Sequence, residues 1–320
     1  RTASALAPNL LLPNMRREGA FAQLLSERAA RRGFGTHLVG AIRRPVLTRG
    51  ERTAEQYFAG SIAPKRVREL RRTQRRLAEA GALVYRHVTD AADLRAAIED
   101  FLRIEAAGWK GAAGTALLSR PETAAFARAA FSGTNLGAPI ASADVLALDG
   151  QAIAVSVNLQ VGRRSFAIKC AYDERFRRFS PGLVLESLVI EHLFASGFAD
   201  EMDSCVTESG HVIQDLWDGA VEVGTLALRP AGARIGVGRL ALDVGQAEQV
   251  RARLRSEAKE RYHAARDVLA CAKTLAAAGS PTAEARALRD RLDARTRKAM
   301  LTFSTAQPNG EFAAVLAAMI

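Results

Sequence analysis

The stretch from 172 to 198, YDERFRRFSPGLVLESLVIEHLFASGF, indicates how the chain is expected to fold. It has the pattern of a strand end, a basic loop, a helix and a glycine stop. Ser180 is a favourable residue for capping a helix start, and Pro181 suits the first helical position. Gly182 places no side chain between an incoming ligand and the backbone. Because a helix start attracts anions, the stretch predicts a phosphate-binding loop, although any capped helix that follows a strand shows this pattern.

The sequence before this stretch predicts an antiparallel sheet. Residues 151–161 alternate large apolar side chains with small or polar ones, which is typical of a strand with two different faces. The pairs Asp149-Gly150 and Gly162-Arg163 suit two-residue turns on either side. We therefore expect three consecutive antiparallel strands at 143–148, 151–161 and 164–172, then a helix at 181–196 and a strand at 200–206.

Further elements follow from hydrophobic periodicity and from glycine and proline stops. Strands are predicted at 36–42, 83–88 and 221–228, and helices at 21–32, 53–60, 64–80, 90–107 and 123–131. A helical hairpin is predicted at 246–300. The helix at 64–80 buries a stripe that includes Leu70 and Leu77, and its other face is basic. That face is interpreted either as a phosphate-binding surface or as a solvated face with local ion pairs; its arginines are Arg66, Arg68, Arg71, Arg72, Arg75 and Arg76.

The composition favours an anionic partner. The chain of 320 residues carries 45 basic and 34 acidic residues, a net charge of +11. This charge suits a phosphorylated cofactor, a lipid-linked sugar, a membrane surface or nucleic acid, and an arginine-rich proteome is the alternative explanation. Three scattered cysteines suit a reducing cytoplasm, and the five histidines lack metal-ligand spacing, so no metal is expected. No apolar run is long enough for a transmembrane helix.

Three sequence blocks resemble a known family. They are KRVRELRRTQRRL at 65–77, EAAGWKGAAGTAL at 105–117 and IKCAYDERFRRFSPGLVLESLVIEHL at 168–193. In this order they resemble the FemAB-like branch of the GNAT acyltransferases, specifically the CelD-type acetyltransferase domain of polysaccharide loci. The resemblance implies an α+β GNAT fold with a mixed, mostly antiparallel sheet, and the C-terminal helical hairpin lies outside it. It also implies a remnant of an N-terminal GNAT-like unit at 1–60 and the acyltransferase domain at 61–230, and the hydrophobic periodicity adds a third part, a C-terminal helical extension at 231–320.

The resemblance also implies a donor site. GNAT proteins hold the pyrophosphate of acyl-coenzyme A at a loop like R-x-x-G-x-G/A. The matching loop here has one additional residue, and Leu183 stands where the last small residue is expected. FemAB relatives use aminoacyl-tRNA instead, so both donors remain open. The residues expected to bind acetyl-CoA or another acyl-CoA are Arg177, Arg178, Phe179, Ser180, Pro181, Gly182 and Leu183.

Catalytic candidates are expected on the two strands that the GNAT fold splays apart, here 164–172 and 200–206. Asp203 is favoured as general base or acceptor-orienting group, with a purely structural aspartate as the alternative. Lys169, on the first of these strands, either faces the cleft or reaches towards solvent. His211 is a further candidate base. The glycines at 108, 111 and 114 predict a loop over residues 105–119 that exposes Trp109 and Lys110. Glu105, Trp109 and Lys110 are therefore expected to contact the acceptor.

Three functions are weighed. The favoured one is an acetyl-CoA-dependent N-acyltransferase that modifies an amino sugar of an exopolysaccharide or cell-envelope precursor. The second is a transferase that uses aminoacyl-tRNA, and the third is a catalytically silent GNAT scaffold that binds a nucleotide or a protein partner. A cytoplasmic location, with peripheral contact at the inner membrane, and a homodimer are further expectations.

Overall fold

The computed structural model describes residues 10–132, 134–135, 138–206 and 212–230. The chain divides into two compact units. The first comprises residues 1–108 and 117–249, and the second comprises residues 109–116 and 250–320. The hairpin predicted at 246–300 lies outside the described residues.

An eight-stranded sheet forms the centre of the first unit. Its strands follow the order β1-β10-β2-β9-β8-β7-β6-β3, and every neighbouring pair is antiparallel except β8 and β9. A two-residue pair, β4 and β5, stands apart from it. The strands are β1 (Leu10–Arg16), β2 (Phe34–Thr48), β3 (Leu83–Val88), β4 (Thr134–Asn135), β5 (Ala138–Pro139), β6 (Ala141–Leu148), β7 (Gln151–Val161), β8 (Arg164–Tyr172), β9 (Glu201–Asp203) and β10 (Gly219–Pro230).

The described helices range from four to 17 residues in length. They are α1 (Ala20–Ala30), α2 (Ala54–Ser61), α3 (Pro64–Ala78), α4 (Ala91–Ala107), α5 (Trp109–Ala112), α6 (Pro121–Ser132) and α7 (Pro181–Ser196). Three short 3-10 segments are Leu117–Ser119, Glu174–Phe179 and Val212–Asp215. Helix α5 belongs to the second unit, and the others belong to the first. Asp90 accepts N–H bonds from the first turn of α4, as its sequence position predicts.

Helices cover both faces of the central strands. On one face, α4 and α6 bury Phe101 and Phe131 against Val155 and its neighbours on β6 and β7. On the other, α2, α3 and α7 form a core with residues such as Leu77 and Leu193. Since each face buries a continuous apolar layer, the sheet is a rigid support for the loops at its strand ends.

Most predicted elements of the first unit are confirmed. Strands β6, β7 and β8 form the antiparallel meander, and α7 follows them. Two predictions are wrong in extent. The strand predicted at 36–42 is part of the 15-residue β2, and the strand predicted at 200–206 ends at Asp203. Strands β1 and β2 lie in the same sheet as the meander, and their origin as a remnant of another unit stays an interpretation.

Candidate active site

The sheet opens between β8 and β9. These parallel strands pair over three residue pairs, the last of which joins Phe166 to Asp203. Strand β9 ends there, whereas β8 continues to Tyr172. Among the described residues, no strand pairs with this edge of β8 beyond Phe166. The pairing of the two strands therefore ends at Phe166 and Asp203, and the space beside the unpaired edge of β8 beyond this point is called the groove.

A β-bulge bends β8 where the groove begins. Val157 of β7 pairs with Lys169, and the next residue, Asn158, pairs with Ala167. Ile168 is therefore the extra residue of the bulge. Because a bulge bends the strand and increases its twist, it lets β8 turn away from β9 while it remains paired with β7.

The basic loop at the end of β8 forms the 3-10 segment that leads directly into α7. Ser180 lies between them with φ 44° and ψ 55°, in the left-handed region. This conformation costs a residue with a side chain on the order of 1 kcal/mol. The prediction of a side-chain cap is wrong, since the Ser180 hydroxyl makes no capping hydrogen bond. Its carbonyl instead accepts the N–H groups of Leu183 and Val184.

The cations of this loop face solvent, whereas its apolar side chains face the core. Arg177 and Arg178 are exposed, and the Cζ of Arg178 lies 4.6 Å from the ring centroid of Phe179. Phe179 and Pro181 are buried, so only their backbone is available to a ligand. Gly182 follows at the start of α7 without a side chain. The loop therefore offers positive charge and accessible backbone, which together suit a phosphate.

Asp203, at the closed end of the groove, is a buried partner of two arginines. Its Oδ1 lies 3.7 Å from Nη1 of Arg44, and its Oδ2 lies 3.5 Å from Nη2 of Arg16. Oδ1 also accepts the backbone N–H of Cys205 at 2.8 Å. With both oxygens occupied, Asp203 is better placed to hold the arginines than to take a proton from a substrate.

Arg44 is itself held in place on all sides. Its side chain is only 8% exposed, and it donates to the carbonyl of Val206 and to Oδ1 of Asn14. Arg16 also pairs with Glu201 at 2.9 Å. Neither arginine could be predicted as a partner of Asp203, because both come from β1 and β2, far from Asp203 along the chain. Arg44 stands in a run of apolar strand residues, and this is the one local sign that it is buried.

Cys205 lies beside Asp203 but is not suited to act as a nucleophile. It adopts φ 53°, and burial together with the nearby Asp203 charge raises its pKa to about 11. The thiol is therefore protonated at neutral pH, whereas a nucleophilic cysteine acts as a thiolate.

Lys169 and Glu105, which the sequence assigned to different roles, lie together. The Nζ of Lys169 on β8 is 3.7 Å from Oε1 of Glu105 on α4. The Glu105 side chain is only 1% exposed, and its Oε2 accepts the N–H of Leu117. Glu105 therefore ties the end of α4 to the bulged strand, and Lys169 is the part-exposed member of the pair.

The remaining candidates are Trp109, Lys110 and His211. Trp109 and Lys110 begin α5, in the second unit, and the carbonyl of Lys110 accepts the N–H groups of Thr115 and Ala116. The residues that follow Glu105 are therefore a helical turn rather than the open loop predicted. His211 lies outside the described residues.

A buried polar network on β3, β6 and β7 was also missed. The carboxylate of Asp144 is 0% exposed and accepts hydrogen bonds from Tyr85 and from Nδ2 of Asn158, each at 2.8 Å. Nδ1 of His87 lies 2.7 Å from it. Burial and the Asp144 charge raise the pKa of Tyr85, which keeps its hydroxyl a donor. The alternation on β7 predicted a polar face, but not that α7 covers it.

Helix α7 adds two titratable groups to this region. Burial raises the pKa of Glu186 to about 7, although the indole N–H of Trp217 donates to it at 2.8 Å. Burial and the neighbouring His87 lower the pKa of His192. The ring centroids of His192 and His87 lie 4.8 Å apart. Both groups belong to α7, where Glu186 contacts Trp217 and His192 contacts His87 of β3.

The comparison with protein families identifies the domain. Residues 64–210 match the family model described as the acetyltransferase (GNAT) domain. The matched segment includes the groove, the basic loop and α7. The first unit therefore contains a GNAT acyltransferase domain, and the protein is an acyltransferase. A comparison with curated protein sequences found no match.

Solved structures with a similar course of the chain were also found. One is the C-terminal DUF2156 domain of a protein named as a lysylphosphatidylglycerol synthetase from Agrobacterium fabrum (TM-score 0.48, 13% identity, 74% of this chain and 71% of that one). Another is FemX (TM-score 0.45, 11% identity, 69% and 72%). A third is a GCN5-related N-acetyltransferase from Kribbella flavida (TM-score 0.32, 15% identity, 71% and 69%).

Metal-ligand clusters and membrane-spanning helices are both absent from the described residues. Within them, no group of three or more His, Cys, Asp or Glu side chains is arranged to hold a metal ion. None of the helices in the same part of the chain is both long and apolar enough to cross a membrane.

Proposed function

We propose that this domain transfers an acyl group, with acetyl-CoA as the donor, to the amine of an acceptor. The observation that carries the proposal is the groove between β8 and β9, which lies beside a loop of exposed cations. The loop before α7 would bind the donor's phosphates, and the acyl-bearing arm would lie along the unpaired edge of β8. Ser180, in its left-handed conformation, and Gly182 leave room for the backbone of the loop to approach a phosphate.

The reaction is a direct substitution at the thioester. The amine nitrogen attacks the carbonyl carbon, an N–C bond forms, the C–S bond breaks, and coenzyme A leaves as its thiol. The proton that the amine loses balances the proton that the departing thiolate gains. Backbone N–H groups on the free edge of β8 would polarise the carbonyl, and the groove would hold both reactants in line.

Asp203 has a positioning role in this proposal. The aspartate holds Arg44 and Arg16 at the closed end of the groove, so it fixes where the two strands separate. We infer that Asp203 orients the acceptor site through these arginines rather than removing the amine proton. Lys169, together with Glu105, would contact the acceptor or the acyl carbonyl from the α4 side of the sheet.

The acceptor is proposed to be an amino sugar of an exopolysaccharide or cell-envelope precursor, modified in the cytoplasm. The resemblance to CelD-type domains supports this choice, and the net charge of +11 suits a phosphate-linked sugar. A peripheral membrane location and a homodimer belong to the same proposal. Neither aminoacyl-tRNA as the donor nor a silent scaffold is favoured by a particular contact among the described residues.

The test is release of free thiol from acetyl-CoA with a panel of amino sugars and sugar nucleotides. Arg178→Ala should raise the KM for acetyl-CoA by about tenfold, because a charge-assisted contact to phosphate is lost. Arg95→Ala, which removes an exposed arginine from α4, is the matched control and should change nothing. Calorimetric titration with acetyl-CoA and with charged tRNA separates the donors: binding of tRNA alone would contradict the proposal, and release of no thiol with any acceptor would favour the scaffold.

A further inference from the structure

Two arginines from different elements share one aromatic ring beside the basic loop. The Cζ of Arg178 lies 4.6 Å from the ring centroid of Phe179, and the Cζ of Arg76 lies 5.9 Å from it. Arg178 belongs to the 3-10 segment before α7, and Arg76 belongs to the last turn of α3. The ring is only 6% exposed, so it is fixed in the core and in turn positions both guanidinium groups.

These cations lack carboxylate partners. Among the described residues, neither Arg76 nor Arg178 forms an ion pair, and the acidic residue of α3, Glu69, pairs with Arg66. The negative end of the helix dipole accounts for arginines in the last turn of α3. It does not account for Arg178, which lies outside α3. Like charges held together repel each other, so an anionic ligand is the arrangement that satisfies both.

The position of the pair relative to α7 indicates which anion this is. Arg178 comes two residues before the first residue of α7, where the donor's pyrophosphate is proposed to bind. Coenzyme A carries a further phosphate on the 3′ position of its ribose, and this phosphate follows the pyrophosphate along the molecule. A guanidinium that rests on a ring keeps its N–H edge directed outwards, which suits two-point contact with a phosphate.

We propose that Arg76 and Arg178, held on Phe179, form a second phosphate subsite that binds the 3′-phosphate of the donor's ribose. The subsite makes the enzyme selective for acyl-CoA over carriers that lack this phosphate, such as 3′-dephospho-CoA or a phosphopantetheine arm on a carrier protein. It deepens the proposed function and rests on it, because it presupposes an acyl-CoA donor.

The test measures the dissociation constants of acetyl-CoA and 3′-dephospho-acetyl-CoA by calorimetry. The wild type should bind acetyl-CoA at least about tenfold more tightly, since one charge-assisted phosphate contact distinguishes the two ligands. Arg76→Gln should lose most of this preference and should bind the dephospho compound as the wild type does. Arg68→Gln changes an exposed arginine about 12 Å earlier on the same helix and should keep the full preference.

Each other outcome has a definite meaning. Equal affinity of the wild type for both ligands, or an equal loss of both in Arg76→Gln, overturns the subsite and leaves the proposed function standing. Arg76→Gln that weakens tRNA binding but not acetyl-CoA binding also overturns it and assigns the surface to nucleic acid. If the wild type binds neither ligand and releases no thiol, the proposed function fails first. Arg76→Lys, which keeps the charge but not the planar fork, should show an intermediate preference.

Discussion

Two pairs of arginines in the acyltransferase domain have opposite surroundings. Arg16 and Arg44, at the closed end of the groove, are engaged by Asp203 and its neighbours. Arg76 and Arg178, beside the loop before α7, lie on an aromatic ring and have no carboxylate partner among the described residues. Pairing, together with the burial of Arg44, makes the first pair part of the architecture. Exposure and the lack of a partner make the second pair available to an anionic ligand.

The two pairs of arginines show that charge alone does not locate a binding site. A buried cation must be compensated within the protein, because an unpaired buried charge costs several kcal/mol. An exposed cation has no such requirement, because water solvates it until a ligand binds. Among these four arginines, Arg16 and Arg44 hold the sheet, whereas Arg76 and Arg178 are the ones proposed to bind the donor.

Removing the charge of Asp203 should have the largest effect. Asp203→Asn leaves the buried Arg44 without its carboxylate, and we expect the free energy of unfolding to fall by about 3 kcal/mol. Turnover should fall on the order of a hundredfold, because the closed end of the groove shifts. Urea unfolding and thiol release measure the two effects.

A second substitution, at Arg44, tests whether the uncompensated charge causes this loss of stability. Arg44→Gln in the Asp203→Asn background removes the uncompensated charge, so part of the lost stability should return. If Asp203→Asn were as stable as the wild type, the paired arginines would not be structural.

Burial of Glu186 should produce a pH-dependent stability of intermediate size. Its pKa is about 7 in the folded protein and 4.5 as the ordinary value, so the folded state holds a proton that the unfolded state releases between these values. The contribution of Glu186 to the free energy of unfolding is therefore fully present below about pH 4.5 and is lost as the pH rises to 7. Glu186→Gln should abolish this pH-dependent loss in the free energy of unfolding, which is on the order of 3 kcal/mol. The side-chain oxygen of the glutamine can still accept the Trp217 N–H.

The measurement is urea unfolding at pH 4.5 and pH 8. Glu186→Gln should gain stability relative to the wild type at pH 8 and match it more closely at pH 4.5. His192 acts in the opposite direction, since its lowered pKa costs stability as the pH falls, and it is the same in both proteins. Glu27→Gln, at an exposed position of α1, is the control and should show no such difference. A constant difference between the two pH values would contradict a buried, protonated Glu186.

Arg178→Ala should have the smallest effect on the fold. The side chain is exposed, so the free energy of unfolding should change by less than about 0.5 kcal/mol. Binding of acetyl-CoA in this variant should depend less on salt than in the wild type, because one exposed charge contact is absent. Calorimetry at two salt concentrations tests this, and a strongly destabilised variant would show that Arg178 is structural after all.

Local sequence patterns predicted the elements well, and their partners less well. The alternation on β7 and the two turn pairs specify the meander, because strand faces and hairpin turns depend on neighbouring residues. The end of β9 was not predictable in the same way. There the Asp203 side chain accepts the Cys205 N–H, and this local bond replaces the continuation of the strand.

The candidate site divides in the same manner. The basic loop was predicted because its cations and the helix start are contiguous in sequence. The ring of Phe179 with Arg76, the partners of Asp203 and the network around Asp144 depend on contacts between distant strands and helices. Only the fold brings these residues together, so their roles could not be read from spacing.

Arg76 and Arg178 are proposed to bind the donor, whereas Arg16 and Arg44 hold the closed end of the groove. The most direct test is calorimetric titration of acetyl-CoA into the wild type, Arg178→Ala and Asp203→Asn, at a temperature where all three are folded. Arg178→Ala should raise the dissociation constant for acetyl-CoA about tenfold, while the constant of Asp203→Asn should stay within about twofold of the wild-type value. Unchanged binding in Arg178→Ala, with a large loss in Asp203→Asn, would contradict this assignment of roles.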